Sequence, residues 1–391
     1  MTDSESSKKW QNTLYEHTRK RPGMFIGGTD ARALHRLLFE ALDHAIDEAL
    51  IGRCTHIWLT LLPENQVLIQ DDSLGIPMIP TRWENLTLME AVLERTGVFR
   101  DQQGEYEDTG SSFGAGLRVV NALSSEMRAE NAHQGQVWAK SYHAGLADGP
   151  LQPIDGIPEI EHGLKLIFTP DFTIFESNPF DFEHIVQRCR EIAYQIAGLK
   201  FTVRDERTTQ PREEICFAPE GLKTWVQELK AKGKPAHDIV HIIQEIPRQS
   251  SYGNEYSIHV EFAFQFTNKP KPYIRSFVNL METSNGGTHL DAFKAGILGY
   301  LNECLALETQ HNGISLEALW GIISKYLIAI VCIRHPYPAF YGSTPLQLKN
   351  YDVYGPITDL VYAAFASQHR KMDPRKFSMY FHSIIKSDST D

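Results

Sequence analysis

Apolar residues recur at helical spacing from about residue 34 to residue 50, where Leu38, Phe39, Leu42, Ile46 and Leu50 supply one side. Glu40, His44, Asp47 and Glu48 stand at i, i+4, i+7 and i+8 on another face, with Asp43 beside them. Two β-branched and aromatic runs follow, at 57–62 and 66–70, joined by a turn at Pro63-Glu64-Asn65. The second run ends in Asp71-Asp72-Ser73-Leu74-Gly75-Ile76-Pro77. A helix is expected over 86–95, then a polar loop over 96–112, then a helix over 117–123. Strands are expected at 126–130, 136–144, 164–169 and 199–207, with a helix at 182–195 between the last two.

The pattern changes near residue 220. A helix at 221–232 precedes alternating strands at 256–267 and 273–279. Asn285-Gly286-Gly287-Thr288-His289-Leu290 then opens a helix over 291–304, with Thr288 or Asp291 as the expected N-cap. A further helix at 315–325 and a strand at 327–334 follow, and a helical stretch with a polar tail ends the chain. These elements predict a two-domain α/β protein, and 391 residues with 42% hydrophobic content suffice for two cores.

Composition narrows the function. A net charge of −11 argues against a chain that coats nucleic acid nonspecifically, although Lys223, Lys230, Lys232, Lys234, Lys269, Lys271 and Arg275 form local basic clusters. The five cysteines are scattered without a CxxC pair, which fits free thiols in a reducing compartment and no zinc site. There is no apolar run of membrane-spanning length and no hydrophobic signal region near Met1, so the expected location is the cytoplasm.

A single charged helical stripe is ordinarily a solvated face. Here it precedes a carboxylate pair and a glycine turn, which together suggest a pocket. The loop at 96–112 is long for a compact domain and leads into Gly110-Ser111-Ser112-Phe113-Gly114-Ala115-Gly116. A glycine-rich turn entering a helix points amide N–H groups at an anion, so it is a candidate phosphate site.

Arg19-Lys20-Arg21-Pro22-Gly23-Met24-Phe25-Ile26-Gly27, the segment from Phe39 through Leu50, and Asp71 through Pro77 closely resemble the N-terminal region of the bacterial gyrase B protein and its topoisomerase IV relative. The resemblance continues almost to the C-terminus, fading after Ala364. It implies a GHKL (Bergerat) ATP-binding domain over 15–218 and a ribosomal-S5-like transducer domain over 219–391. Residues 1–14 would form an arm that closes a homodimer around nucleotide. The implied family function is the ATP-operated clamp of a type IIA DNA topoisomerase, with ATP and Mg²⁺ as ligands, DNA as substrate and a cleavage domain or separate cleavage protein as partner. No cleavage domain with its acidic metal-binding motif follows here, so the chain reads as a standalone protein or a fragment, its polar tail favouring the former.

The resemblance also assigns roles. Glu40 matches the water-activating glutamate, Asp71 the acceptor of the adenine amino group, and Gly75, Ile76 and Pro77 the turn beside the base. Gly110, Gly114 and Gly116 match the phosphate loop. His44 replaces an asparagine that binds magnesium, a poor exchange because Mg²⁺ prefers hard oxygen ligands. Val98 and Glu107 stand where the family carries lysines in its lid. Ser343-Thr344-Pro345 stands where a Gln-Thr-Lys loop reaches the γ-phosphate, so Pro345 removes a cation. Ser73 and Leu74 replace a Gly-Arg pair, Leu164 a threonine, and Ser111 through Phe113 a Gly-Leu-His run. Losing one such donor costs ~10²–10³ in rate. The expectation is therefore a retained fold and dimer with weakened nucleotide binding and low or absent hydrolysis, acting as a regulatory or scaffold module. The alternative is an active ATPase gate that dimerises on ATP, captures DNA and works with a separate cleavage partner.

Overall fold

A computed structural model describes residues 15–388 except 82–85, 96–97, 101–105, 109–115, 155–160, 177–178, 230–234, 250–252, 254, 309–314, 343 and 373. The expected N-terminal arm and two of the three phosphate-loop glycines, Gly110 and Gly114, lie outside the described residues. Two compact units emerge, Met1–Pro219 and Glu220–Asp391.

In the first unit a short helix α1 (Gly23–Ile26) precedes the long helix α2 (Ala31–Leu50). Asp30 caps α2 by accepting from the Ala33 amide at 3.0 Å. The helix therefore starts a turn before the apolar periodicity does. Leu34, Leu37, Leu38, Ala41, Leu42, Ala45 and Ile46 form its buried stripe. Strands β1 (His56–Leu61) and β2 (Val67–Asp71) pair antiparallel, and Glu64 and Asn65 take positive φ in the turn between them.

Helix α3 (Leu88–Glu94) begins with a reciprocal capping box between Thr87 and Glu90. The expected loop at 96–112 is in part a hairpin, β3 (Val98–Arg100) paired with β4 (Tyr106–Asp108). Its polar composition hid the two short strands. Helix α4 (Gly116–Ala122) leads into β5 (Ser124–His133), followed by β6 (Gln136–His143), β7 (Leu146–Ala147), β8 (Gln152–Pro153) and β9 (Gly163–Pro170). Helix α5 (Phe182–Gln195), β10 (Lys200–Asp205) and β11 (Arg212–Phe217) complete the unit. Sequence periodicity does not separate β11 from the surrounding loop.

One sheet carries the order β11-β10-β1-β2-β9-β5-β6-β7, with β8 on β6. Within it β1 and β10 run parallel, and the other described pairs are antiparallel. Helix α2 packs on β2 and on α4, and α5 packs on β10 and β11.

The second unit opens with helix α6 (Leu222–Leu229) and strands β12 (Val240–Gln249), β13 (Glu255–Phe266), β14 (Tyr273–Val278) and β15 (Met281–Glu282). Helices α7 (Thr288–Glu308) and α8 (Leu316–Ile323), strand β16 (Leu327–Arg334), and helices α9 (Tyr354–Lys371) and α10 (Pro374–Asp388) follow. The sheet order is β12-β13-β16-β14-β15. Val260, Phe262, Phe264 and Phe266 of β13 alternate into a core shared with Phe293, Ile297, Phe365 and Phe381.

Of the basic clusters read from sequence, Lys230, Lys232 and Lys234 lie outside the described residues and Lys269 is exposed, while Lys223, Lys271 and Arg275 are used structurally. Lys223 pairs with Glu220, Lys271 Nζ donates to the Leu229 carbonyl at 2.7 Å, and Arg275 forks onto Glu282 at 2.7 Å while lying over Trp225. Neither expected cap of α7 acts as one. Thr288 is already helical and its buried hydroxyl makes no hydrogen bond, while Asp291 sits within the first turn.

Candidate functional site

Strand alternation sends the two carboxylates at the end of β2 to opposite faces. Asp72 turns to β1, where its Oδ1 accepts from the Thr55 and His56 amides at 2.7 and 2.9 Å and its Oδ2 from the Thr55 hydroxyl at 2.6 Å. Asp71 turns inward and is 2% exposed. Its Oδ1 accepts from the amides of Ser73 at 2.9 Å and Leu164 at 3.2 Å. Burial pushes its pKa up, against the opposing pull of Ser73 and the Leu164 amide. One carboxylate thus clips a strand, and the other is an acceptor held inside the fold.

The turn beyond Asp71 depends on glycine. Gly75 has φ +72°, and a Cβ there would lie 2.2 Å from the Ala132 carbonyl oxygen. Gly163, opposite, has φ +102°, and its Cβ would lie 2.1 Å from the Asp71 carbonyl oxygen. Asn131 fixes the same turn from β5: its Oδ1 accepts from the Ile76 amide at 2.7 Å and its Nδ2 donates to the Ile76 carbonyl at 2.8 Å. His133 and His162 each bring Nδ1 to a turn carbonyl, of Leu74 at 2.8 Å and Ser73 at 2.9 Å. Ile76 is buried and Pro77 half-buried beside it. Sequence reasoning missed Asn131. Its signal was an amide side chain at an inward position of an alternating strand, which needs a buried partner.

Glu40 is half-buried on α2. The Gly116 amide at the start of α4 donates to its Oε2 at 3.2 Å, so the glutamate and the last glycine of the expected phosphate loop do meet. Burial, with the charge of Asp43 adding to it, pushes the Glu40 carboxyl up to about 7, against the Gly116 amide and Arg36. The acidic stripe itself divides. His44 is half-buried, Asp47 exposed, and Glu48 is 1% exposed on the core side of the helix.

Val98 pairs with Asp108 and Phe99 with Glu107 across the β3–β4 hairpin. Pro345 belongs to the second unit, half-buried in a turn where the Leu346 amide donates to the Thr344 carbonyl at 2.8 Å. Among the described residues no three His, Cys, Asp or Glu side chains are placed to hold a metal ion, and the position one turn beyond Glu40 offers an imidazole instead of an amide oxygen.

Residues 29–174 match the family model for the histidine kinase-, DNA gyrase B- and HSP90-like ATPase, and residues 221–376 match that for DNA gyrase B. The second match runs twelve residues past Ala364, where the sequence resemblance was expected to fade. The DNA gyrase B protein of Clostridium acetobutylicum is 34% identical over 92% of this chain and 55% of its own length. That of Haloferax volcanii is 32% identical over 89% of this chain and 53% of its own. The chain spans about half the length of the curated relatives it matches. Among solved structures, the 43K ATPase domain of Thermus thermophilus gyrase B superposes with a TM-score of 0.78 at 27% identity, covering 95% of this chain and 94% of that one. The gyrase B protein of Myxococcus xanthus, at 24% identity and a TM-score of 0.72 over 90% of this chain and 95% of that one, shares the fold. The chain belongs to the DNA gyrase B family of GHKL ATPases, matching its N-terminal ATP-binding and transducer region.

Proposed function

We propose that this chain is an ATP-binding clamp module of a type IIA topoisomerase-like assembly, with nucleotide bound in the first unit and hydrolysis slow. The observation that carries the reading is Asp71: a buried carboxylate with one oxygen fixed by two amides, beside a turn built from Gly75 and closed by Gly163. An adenine presents an exocyclic amino donor, and the Asp71 carboxylate is the acceptor for it. Ile76 and Pro77 line the turn against the base, and Gly110, Gly114 and Gly116 cradle the phosphates.

Glu40 acts as general base for the attacking water, with a carboxyl near 7 that loses its proton in the neutral range. What slows the step is the charge around the transferred phosphoryl group. Val98, Glu107 and Pro345 bring no cation where the family has lysines, and His44 no hard oxygen. On this reading the chain dimerises through its first fourteen residues and serves as a regulatory or scaffold partner of a topoisomerase in the cytoplasm.

The retained contact of Glu40 with the Gly116 amide favours a second reading, in which the same machinery turns over as an active ATPase gate, captures DNA and works with a separate cleavage partner. Calorimetric titration with a non-hydrolysable ATP analogue, with and without Mg²⁺, followed by a turnover assay, separates the two. Analogue binding with turnover at least ~10²-fold below a full ATPase gate supports the slow clamp, because one lost donor already costs that much. Magnesium-dependent binding with brisk turnover supports the gate. No binding at millimolar analogue overturns both.

A further inference from the structure

Asn131 commits both ends of its side-chain amide to one residue of the turn, accepting from the Ile76 N–H and donating to the Ile76 C=O. An antiparallel strand neighbour would exchange the same pair of bonds. The turn needs such a substitute, because β2 ends at Asp71 and its described pairing with β9 stops at Gln70 and Lys165. Asn131 Nδ2 also lies 3.4 Å from the Met78 sulfur. His133, two residues on and therefore on the same face of β5, holds the Leu74 carbonyl.

These contacts close a ring around the Asp71 carboxylate. Asn131 stands opposite Leu164 in the ladder between β5 and β9. The Leu164 amide donates to Asp71 Oδ1, and so does the Ser73 amide. Ser73 Oγ accepts from the Gly75 amide at 3.2 Å, and Ile76 leads back to Asn131. Backbone pairing fixes the Leu164 side of this ring. The turn side depends on side chains, with two bonds from Asn131 and one each from His133 and His162. Asn131 is fully buried, so it meets no ligand itself and acts through the turn. Removing its amide would strand the N–H and C=O of Ile76, a buried residue.

We propose that Asn131 is a positioning residue for base recognition: by holding the Gly75–Ile76 turn from β5 it keeps the Asp71 carboxylate aimed at an exocyclic amino group. It thereby sets the preference for adenine over a purine with a keto oxygen at that position. The inference deepens the nucleotide reading above and rests on Asp71 as the acceptor for the base.

The test titrates the full chain calorimetrically with ADP and with inosine diphosphate, which carries a keto oxygen where adenine carries its amino group. A carboxylate accepts from the amino group and repels the keto oxygen, so the parent should prefer ADP by about ten- to a hundredfold. In Asn131→Leu the preference should fall to within about threefold, because ADP loses its bond to Asp71 and inosine diphosphate has none to lose. Asn131→Asp keeps the size of the side chain and the acceptor for the Ile76 amide, but sets a second oxygen against the Ile76 carbonyl. Its preference should fall between those of the parent and Asn131→Leu, and it carries the test alone if the leucine variant does not fold. A purely structural role would weaken both nucleotides by the same factor. That result, or an unchanged preference in the folded variants, would overturn the proposal and leave nucleotide binding standing. A parent that binds the two nucleotides equally would remove Asp71 as the reader of the base, and the role of Asn131 with it. A parent that binds neither at millimolar concentration would overturn the nucleotide reading itself together with this inference.

Discussion

The Glu40 carboxyl is pushed up to about 7 by burial and by the nearby Asp43, whereas in an unfolded chain it would titrate near 4.5. Between those values the fold keeps a proton that the unfolded chain releases, so this group's contribution to stability is full below about 4.5 and is lost as pH rises through 7. Glu40→Gln should therefore melt higher than the parent at pH 8 and nearly level with it at pH 4, read by calorimetry. The same substitution should lower any ATP turnover by ~10²–10⁴, the usual worth of a positioned base, and parent turnover should climb with pH through the neutral range. Stability and chemistry pull in opposite directions at one atom pair. Asp71 makes a separable prediction. In Asp71→Asn the side-chain oxygen can still accept from Ser73 and Leu164, but the charged acceptor for an adenine amino group is gone. Affinity for ATP analogue and ADP should fall together by about ten- to a hundredfold, the worth of a hydrogen bond to a charged group. A fall for ATP analogue alone would mean that Asp71 acts at the phosphate end.

Helix α3 shows what elements add that single residues do not. Lys140 of β6 places Nζ 2.6 Å from Glu90 and 2.8 Å from Glu94 on α3, and Tyr142 donates to Glu94 at 3.1 Å. Its side chain and that of Glu90 are under a tenth exposed, so the pairing is a buried clamp between helix and sheet. Lys140→Met would leave a buried and a half-buried carboxylate without this cation and should cost about 3–5 kcal/mol in urea unfolding. Adding Glu90→Gln and Glu94→Gln should restore much of that loss, because removing the charges together removes the desolvation penalty. Nothing in the local sequence announced this clamp, since Lys140 and Glu90 lie fifty residues apart and the capping box that holds Glu90 says nothing of a partner on a strand. By contrast α2, β1, β2, α5 and β16 were legible from periodicity, because each has a long apolar stripe or an unbroken β-branched run that only one period fits. The β3–β4 hairpin and β11 were not: short polar strands carry no apolar alternation, and their pairing is decided by neighbours. The same limit applied at the start of α7, where Gly-Gly-Thr reads as a capped helix although the Thr288 hydroxyl is left unbonded. In the candidate site, Glu40, Asp71 and Gly75 stood out as motif residues, while Asn131, which closes the turn from another strand, did not.

Each of the two units has its own interior, and this sets where the parts of the proposed mechanism can be tested. Asp71, Gly75, Gly163, Glu40 and Gly116 all fall within Met1–Pro219, whereas Pro345 falls within Glu220–Asp391. Among the described residues, the large apolar cluster of the second unit runs from Val240 to Ile385. Domains with separate cores generally fold alone. Residues 1–219 expressed by themselves should then unfold cooperatively and bind ADP within about threefold of the full chain, since distant and independent sites contribute additively. Turnover should behave differently. If Pro345 marks a missing cation for the γ-phosphate, Pro345→Lys should raise ATP turnover in the full chain without changing ADP affinity, because ADP has no γ-phosphate to contact. Combining it with His44→Asn should raise turnover further. A well-folded double variant with no gain would place the deficit in the first unit itself, at Val98, Glu107 or the phosphate loop, and would leave nucleotide binding without turnover as the property of the whole chain. A gain in ADP affinity on Pro345→Lys would instead show that the substituted loop reshapes the pocket, and the cation explanation would fall.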